Sequence, residues 1–324
     1  MTARSNFDTL ITVYGGSGFL GRHVVRALAK RDYRIRVAVR RPDLAFHLQP
    51  LGRVGQIHAV QANLRDAASV EGAARGAHVL INLVGLLQES GRQRFDSIHS
   101  FGAEQVALAA SAHGARMVHV SAIGADENSP AAYARTKAAA ERLVLAAQPQ
   151  AVVMRPSVLF GPEDDFFNRF AALARISPVL PLIGGGHTKF QPAFVGDVAQ
   201  AIAEAAEGKL RAGTIYELGG PEVRTFKELM QFMLATIERR RLLVPLPFFA
   251  ARFKALFLQY APAPLTLTPG QVDLLRVDNV VSEAAKAEKR TFAGIGIDPA
   301  SIEAIVPSYL WRFRKAGQFR SRAA

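Results

Sequence analysis

The sequence has no cysteine, and its eight histidines are scattered along the chain. A chain without thiols forms no disulfide bond, no catalytic thiolate and no cysteine-ligated zinc or iron–sulfur site. No two histidines have the H-x-H or H-E-x-x-H spacing that brings imidazoles onto one metal ion. We therefore expect no metal site, and we interpret most of the histidines as surface or packing residues.

Long apolar runs and acidic residues are also scarce. No uncharged apolar window reaches the roughly 18 residues of a bilayer span. Residues 1–7 lack the apolar run of a signal peptide, so a cytoplasmic protein is expected. With 40 Lys and Arg against 27 Asp and Glu, the formal net charge is +13. Such a charge attracts nucleic acid, an anionic membrane, an acidic protein or a phosphorylated cofactor. The net charge alone does not identify which of these is the partner.

The first half of the chain alternates between short β-branched runs and alanine-rich helical segments. Apolar strands separated by helices predict a parallel sheet covered on both faces, whose ligands bind at the carboxyl ends of its strands. Strands are predicted at Thr9–Tyr14, Arg34–Val39, Ile57–Gln61, Val79–Val84, Met117–Val120 and Ala151–Met154. Helices are predicted at Gly18–Lys30, Asp66–Ala74, Phe95–His113 and Pro130–Ala147.

The alternation becomes irregular after the sixth predicted strand. Two further strand-like runs, Phe190–Phe194 and Thr214–Leu218, each lead into a helix. The predicted fold class is α/β: a doubly wound parallel (Rossmann) sheet over residues 1–156 and a smaller C-terminal α/β lobe over residues 157–324. Residues 190–218 are expected to interleave with the sheet.

A glycine-rich turn joins the first predicted strand to the first helix. Its early glycines permit close approach of a pyrophosphate, and the free N–H groups of the helix start face that anion. Strand, turn, helix and a second strand follow in the expected order, so we predict dinucleotide binding; a purely structural turn is the alternative. The predicted cofactor contacts are Gly15, Ser17, Gly18, Phe19, Leu20 and Gly21.

Two arginines follow the second predicted strand. NAD-binding sites usually place an acidic residue about 20 residues beyond the glycine turn, where it holds the ribose 2′-hydroxyl. Here Arg40 and Arg41 occupy that region, and the next carboxylate is Asp43. A guanidinium pairs with a 2′-phosphate, which a carboxylate would repel. The sequence therefore predicts NADP(H) in preference to NAD(H), with two solvated arginines as the alternative interpretation.

The next two strand ends supply further cofactor-binding candidates. Asn63 and Leu64 follow the third strand, where Asn63 would bond an adenine ring, or would only shape a turn while Asp66 caps a helix. The two interpretations have equal support. The fourth strand ends in three residues that would pass close to the cofactor: Leu83, Val84 and Gly85.

Three residue types suited to proton transfer occur near the fifth strand. Tyr133 and Lys137 stand in Y-x-x-x-K within an alanine-rich helix, and i, i+4 spacing places them on one face. Ser121 ends the fifth strand. A neighbouring ammonium lowers the pKa of a phenol, and a serine hydroxyl orients a carbonyl or alcohol. We predict Ser121, Tyr133 and Lys137 as catalytic residues; an ordinary helix surface is the alternative for Tyr133.

Taken together, the glycine turn, Ser121 and the Y-x-x-x-K pair resemble the extended and atypical short-chain dehydrogenases. Three later segments, residues 154–170, 190–199 and 278–282, resemble the NADPH-binding accessory subunits of respiratory complex I and their bacterial relatives. This resemblance extends over nearly the whole chain, and R-P-S-V-L-F-G-P-E-D-x-F-F-N-R-F is its most specific part.

The resemblance implies a tightly held, mainly structural cofactor in a subunit that binds other complex I subunits on the inner face of the cytoplasmic membrane. It implies that Lys137 reaches the nicotinamide ribose and that Pro156 and Val158 border the nicotinamide ring. Mitochondrial members commonly lack the full Ser–Tyr–Lys set, whereas this chain keeps it. An active NADP-dependent reductase, dehydrogenase or epimerase is therefore the alternative.

The second half carries an aromatic stripe and a basic tail. Residues 247–260 indicate a helix with proline in its first turn, and five side chains share one stripe: Phe249, Phe253, Leu256, Phe257 and Tyr260. The stripe suits a membrane interface or a partner groove, or it covers the lobe's own core. Residues 304–324 contain basic and aromatic residues but no acidic residue, a composition that suits lipid headgroups, an acidic protein or solvent. Nucleic acid is not expected, because no nucleic-acid motif is present.

Overall fold

The structure, a computed structural model, describes residues 6–315. Two compact units divide the chain. The first unit comprises residues 1–156, 195–218 and 283–297. The second unit comprises residues 157–194, 219–282 and 298–324. The chain therefore leaves the first unit after Pro156 and returns to it twice.

Strands and helices are numbered here along the whole chain. The strands are β1 (Leu10–Tyr14), β2 (Arg34–Val39), β3 (Ile57–Gln61), β4 (Val79–Asn82), β5 (Arg116–Val120), β6 (Val152–Pro156), β7 (Leu159–Phe160), β8 (Val179–Ile183), β9 (Lys189–Phe190), β10 (Ala193–Phe194), β11 (Ile215–Leu218), β12 (Arg224–Thr225) and β13 (Leu242–Leu246). The helices are α1 (Phe19–Ala29), α2 (Ala67–Ala74), α3 (Phe101–Ala112), α4 (Ala132–Ala147), α5 (Phe167–Ile176), α6 (Val195–Ala206), α7 (Phe226–Thr236), α8 (Phe248–Leu258), α9 (Pro269–Leu274), α10 (Glu283–Ala287), α11 (Phe292–Ile295), α12 (Ile302–Ile305) and α13 (Pro307–Leu310).

The first unit is built on a seven-stranded parallel sheet. Its strand order is β11-β6-β5-β4-β1-β2-β3. The chain winds outward from β1 through β2 to β3, then crosses back to β4 on the other side of β1 and winds the opposite way. The reversal lies between β1 and β4, which is where an open α/β sheet leaves a crevice for a ligand. The predicted doubly wound sheet is confirmed.

Helices cover both faces of this sheet. Alternate residues of β1 face opposite sides: Thr12 and Tyr14 donate hydrogen bonds from their side chains to carbonyls of α2, at 3.0 and 2.7 Å. Val13 lies on the other side with α1, which packs against α6. The three helices α2, α3 and α4 pack in a row. The core of the first unit is therefore divided between two apolar layers.

Two predicted elements differ from the observed ones. The predicted helix Phe95–His113 begins with a wider π-helical turn at Asp96–Ser100 before α3 starts. The predicted strand Phe190–Phe194 is two short strands, β9 and β10, and neither belongs to the seven-stranded sheet. Pro192 separates them and has no N–H for a ladder, while the side chain of Gln191 bonds the carbonyl of Gly220 at 2.7 Å.

The second unit combines three two-stranded sheets with short helices in the part of the chain that the structure describes. Aromatic rings fill its core, with Phe160 and Phe167 fully buried. Buried Asp164 accepts bonds from the N–H groups of Gly161 and Asn168 and from the hydroxyl of Tyr309 in α13. Asp164, in the motif at residues 154–170, therefore bonds α13 within the second unit. Between residues 6 and 315 no helix combines the length and apolar character that crossing a bilayer requires.

Candidate functional site

The turn after β1 packs closely against the start of α1. Gly15 has φ +80, in the left-handed region that favours glycine, and its carbonyl accepts the N–H of Gly18 at 3.1 Å. A Cβ on Gly21 would lie 2.4 Å from the Gly15 oxygen, so α1 starts directly against the turn. The backbone N–H groups of Phe19 and Leu20 begin the helix, and the N-cap Gly18 offers no side chain to bond them. This cradle suits an anion.

The end of β2 places two exposed arginines after the sheet. Arg41 bonds Asp43, with 2.7 Å between Nη2 and Oδ2, and this carboxylate is therefore already neutralised. Arg40 makes no ion pair with any described residue. The only nearby carboxylate in the sequence is thus engaged by one arginine, and the other guanidinium is available to an anionic ligand.

At the end of β3 the side chains shape local structure. Asn63 accepts the N–H of Arg65 at 3.2 Å, and Asp66 caps α2 by accepting the N–H of Ala68 at 3.1 Å. Leu64 is buried in the core against α3. The geometry therefore shows the turn and the cap, and the contact of Asn63 with an adenine ring stays a prediction.

The end of β4 lies beside the glycine turn. The N–H of Leu83 bonds the carbonyl of Tyr14 at 3.0 Å, and a Cβ on Gly15 would lie 3.0 Å from Val84. A Cβ on Gly85 would lie 3.4 Å from the amine of Lys137. The structure therefore brings the turn after β1, the end of β4 and Lys137 into one region of the first unit.

Ser121 and the amine of Lys137 both lie at the end of β5. The amine of Lys137 donates to the carbonyl of Val120 at 3.0 Å, directly before Ser121. The hydroxyl of Ser121 is buried and has no hydrogen-bond partner within residues 6–315. Tyr133 lies one turn before Lys137 on α4. Among the described residues, no hydrogen bond joins any two of these three side chains.

A buried histidine, which the sequence patterns missed, connects these elements. His99 accepts the N–H of Leu86 on Nε2 at 2.9 Å, so its proton lies on Nδ1, 3.0 Å from the hydroxyl of Thr136. Thr136 in turn donates to the carbonyl of Tyr133 at 3.1 Å. The His99 ring also meets the Tyr133 ring edge-on at 5.5 Å. His99 therefore ties the segment after β4 to the first turn of α4.

Burial controls the protonation of this cluster. It lowers the pKa of His99 to about 3, assisted by the charge of Lys137. Burial also lowers the pKa of Lys137 to about 8, against the opposing effect of Glu141. The expected lowering of the Tyr133 pKa is not found: burial raises the pKa of this phenol to about 12. The reason is that desolvation of the phenolate is not offset by the amine, which bonds the Val120 carbonyl.

The residues that the family resemblance places beside the nicotinamide ring lie in different units. Pro156 ends β6 in the first unit, and its carbonyl accepts the N–H of Ile123 at 3.0 Å. Val158 lies in the second unit, where its N–H bonds Oδ1 of Asn279 at 2.9 Å. The hydroxyl of Ser157 bonds the same oxygen at 2.6 Å. Asn279, in the segment 278–282, therefore holds Ser157 and the N–H of Val158 in place.

These observations fit a dinucleotide. The turn after β1 is a cradle that a Cβ would fill, and the orphaned Ser121 hydroxyl and the Lys137 amine add donors in the same unit. A bound nicotinamide nucleotide would supply or accept hydride there. No group of three or more histidine and carboxylate side chains suited to a metal ion occurs within the described range.

The fold and this arrangement define a nicotinamide-nucleotide-binding protein of the extended short-chain dehydrogenase type. Residues 11–219 match the NAD dependent epimerase/dehydratase family, and the chain belongs to that family. The family resemblance deduced from the sequence motifs is confirmed.

Curated relatives place the chain more narrowly. It is 36% identical over 97% of its length to NADH dehydrogenase (ubiquinone) 1 alpha subcomplex subunit 9 of Arabidopsis thaliana mitochondria, and the match covers 80% of that protein. It is 30% identical over 94% of its length to the 40 kDa subunit of NADH-ubiquinone oxidoreductase of Neurospora crassa, covering 79% of that subunit. A ceramide reductase of Caulobacter vibrioides is 38% identical over 54% of each chain.

A solved structure supports the fold. The NADPH-dependent quinone oxidoreductase QOR2 of Escherichia coli, complexed with NADPH, superposes with a TM-score of 0.72 at 21% identity. The match covers 93% of this chain and 99% of that one. The relatives found by sequence thus include complex I subunits and a ceramide reductase, and the solved structure adds the fold alone.

Proposed function

We propose that this chain is an NADP(H)-binding accessory subunit of a complex I-type NADH:quinone oxidoreductase. It assembles with other complex I subunits at the inner face of the cytoplasmic membrane. The observation that carries the proposal is the similarity to complex I subunits over 97% and 94% of the chain. Matches of this length span both units of the chain, as expected if the whole chain acts as a subunit of the complex.

The cofactor binds across the turn after β1. Its pyrophosphate meets the backbone N–H groups at the start of α1, its 2′-phosphate pairs with Arg40, and its nicotinamide ribose bonds Lys137. The exposed Arg40 and the neutralised Asp43 support NADP(H) over NAD(H), because no free carboxylate next to Arg40 in sequence opposes a 2′-phosphate. Lys137 supports the ribose contact, because a lysine has three donor hydrogens and Val120 accepts only one.

The cofactor's role is mainly structural. Burial holds the pKa of Tyr133 at about 12, so this phenol does not readily act as a base near neutral pH. A cofactor that is not turned over stabilises the unit that binds it by mass action.

The assembly is tested by purifying complex I from membranes in mild detergent. Native mass spectrometry should find this subunit with one NADPH bound. A chain recovered entirely apart from the complex, in cells that assemble complex I normally, would contradict the proposal.

The cofactor preference is tested with Arg40→Asp. The variant should bind NADPH on the order of tenfold to a hundredfold more weakly, because a repulsive carboxylate replaces the guanidinium that holds the 2′-phosphate. NADH affinity should stay equal or rise. Arg53→Asp, at another exposed arginine of the same unit, is the control and should leave both affinities unchanged. Isothermal titration measures them, and tighter binding of NADH by the parent would refute the assignment.

The second candidate is an active NADP-dependent reductase, dehydrogenase or epimerase. The orphaned hydroxyl of Ser121, close in sequence to the Lys137 contact at Val120, favours it, as does the similarity to ceramide reductase. Ser121 would orient a carbonyl, and Tyr133 would transfer the proton. NADPH oxidation with a carbonyl substrate that disappears in Tyr133→Phe, while NADPH binding persists, would establish this function instead.

A further inference from the structure

Helix α8 buries its small side chains and exposes its large ones. Ala251 and Ala255 are fully buried, whereas the rings of Phe249, Phe253 and Phe257 are 78%, 64% and 67% exposed. Leu256 and, just after the helix, Tyr260 extend the same face. A helix that only covers its own core has the opposite arrangement. The interpretation that this stripe covers the lobe's core is therefore wrong.

Exposed apolar side chains are concentrated around this helix. Of 18 large exposed apolar side chains among the described residues, nine lie between Leu242 and Val277. The neighbouring strand β13 contributes Leu242 and Val244, and the loop after α8 contributes Leu265. Exposed apolar side chains concentrated in one stretch of the chain are typical of an interaction site.

Positive charge accompanies the apolar face. No Asp or Glu occurs from Arg239 to Val272, a stretch that holds five basic residues: Arg239, Arg240, Arg241, Arg252 and Lys254. Arg252 and Lys254 are exposed on α8 itself, and helical spacing places them on the two borders of the aromatic face. Arg252 also bonds Asp273, with 2.6 Å between the nearest atoms, which orients its guanidinium at that border.

We propose that the aromatic face of α8 inserts into the interface of an anionic phospholipid bilayer. Its rings enter the acyl boundary, while Arg252 and Lys254 stay at the level of the phosphate groups. At 11 residues, α8 is about 16 Å long, too short to span a bilayer, so it lies in the membrane plane. Aromatic rings bordered by basic side chains suit this depth. The proposal does not depend on the nucleotide site.

The charge pattern favours a bilayer over other occupants. A second copy of this chain would bring a second set of Arg252 and Lys254 against the first, and like charges repel. An anionic bilayer instead supplies negative charge along both borders of the helix at once. Self-association and a protein groove remain outcomes that the experiment below distinguishes.

The test is flotation of the purified full chain with lipid vesicles. Vesicles of phosphatidylcholine containing about 30 mol% phosphatidylglycerol should carry the parent to the top of the gradient. Pure phosphatidylcholine vesicles should bind on the order of tenfold less, and added salt should weaken anionic binding. The double variant Phe253→Glu, Phe257→Glu should partition onto anionic vesicles at least about tenfold more weakly than the parent, because two carboxylates replace two anchoring rings. Lys254→Glu should lose less, and only on anionic vesicles.

A matched control removes two exposed apolar side chains elsewhere. Leu44→Glu, Phe46→Glu alters residues that are 63% and 59% exposed in the first unit and should float like the parent. Circular dichroism and urea unfolding show that each variant is folded. Equal flotation of the Phe253 and Phe257 variant and the parent would overturn the proposal, as would absence of parent flotation. If the parent forms a dimer and binds no vesicles, and the Phe253 and Phe257 variant is a monomer, the face would instead bind a second copy of the chain.

Discussion

His99 is a neutral group at a place where protonation is costly. Its pKa is lowered from 6.5 to about 3 in the folded chain, so between these values the unfolded chain binds a proton that the folded chain does not. The contribution of His99 to the free energy of unfolding is therefore fully present above about pH 6.5. As the pH decreases below this value, the free energy of unfolding falls by up to about 1.4 kcal/mol per pH unit. We expect His99→Gln, which cannot titrate, to show a shallower decline.

The measurement is urea unfolding of the parent and His99→Gln at about pH 7, 6 and 5. Other titrating groups, including buried His119, are common to both proteins and cancel in the comparison. Equal pH dependence of the two unfolding free energies would show that His99 is not held neutral by burial.

Site residues were predictable from the sequence where a spacing rule exists, whereas the burial and the pKa of their side chains were not. Tyr133 and Lys137 were found from i, i+4 spacing, and the turn glycines from theirs. The raised pKa of Tyr133 was not predictable, because it depends on how α4 is buried. His99 was missed because a single histidine has no partner at fixed sequence distance; its partners are Leu86 and Thr136.

Two glycines in helices have opposite structural roles. Gly21→Ala should destabilise the chain by at least about 2 kcal/mol and weaken NADPH binding, because its Cβ would lie 2.4 Å from the Gly15 oxygen. Gly72 in α2 has open space around its Cα, so Gly72→Ala should stabilise by about 0.5–1 kcal/mol. Denaturant unfolding measures both. A tolerated Gly21→Ala with unchanged NADPH affinity would contradict the close packing of α1 on the turn.

One buried hydrogen bond adds to the apolar packing that holds α13 in the second unit. Tyr309→Phe removes the hydroxyl that Asp164 accepts and should cost about 2 kcal/mol, because a buried carboxyl loses a partner. Tyr260→Phe alters a ring that is 85% exposed and should change stability by less than about 0.5 kcal/mol. Equal unfolding free energies for the two variants would show that the Asp164 bond does not hold α13.

In the first half, most ends of the strands and helices were predictable to within about two residues, because each element combines an apolar run with a flanking turn. The second half was less predictable. Helix α5 lies in the stretch after the sixth strand, where the sequence pattern is irregular and predicts no helix, and the single strand predicted at Phe190–Phe194 is two strands. Its short strands pair with distant partners such as β12, and the Gln191 contact with Gly220 is equally distant, so no local pattern reveals them.

A tightly held cofactor should stabilise the molecule as a whole. NADPH at about a hundredfold excess over its dissociation constant should stabilise the folded state by about 2.7 kcal/mol and raise the unfolding midpoint by about 5 °C. NADH at the same concentration should raise it less. Differential scanning calorimetry of the full chain measures the three midpoints. An unchanged midpoint with either nucleotide would contradict nucleotide binding to the folded chain.

The return of the chain to the first unit governs how the protein is made. Strand β11 pairs with β6, and Glu217 reaches Arg155 at 3.5 Å, yet β11 is translated some 60 residues after β6. A nascent chain that has only reached Pro156 carries β6 with one ladder open. Such an edge pairs readily with strands of other chains. Ribosomes translating this message in close succession therefore hold neighbouring copies with matching unpaired edges, and residues 157–194 of the second unit must be synthesised before β11 can close either copy.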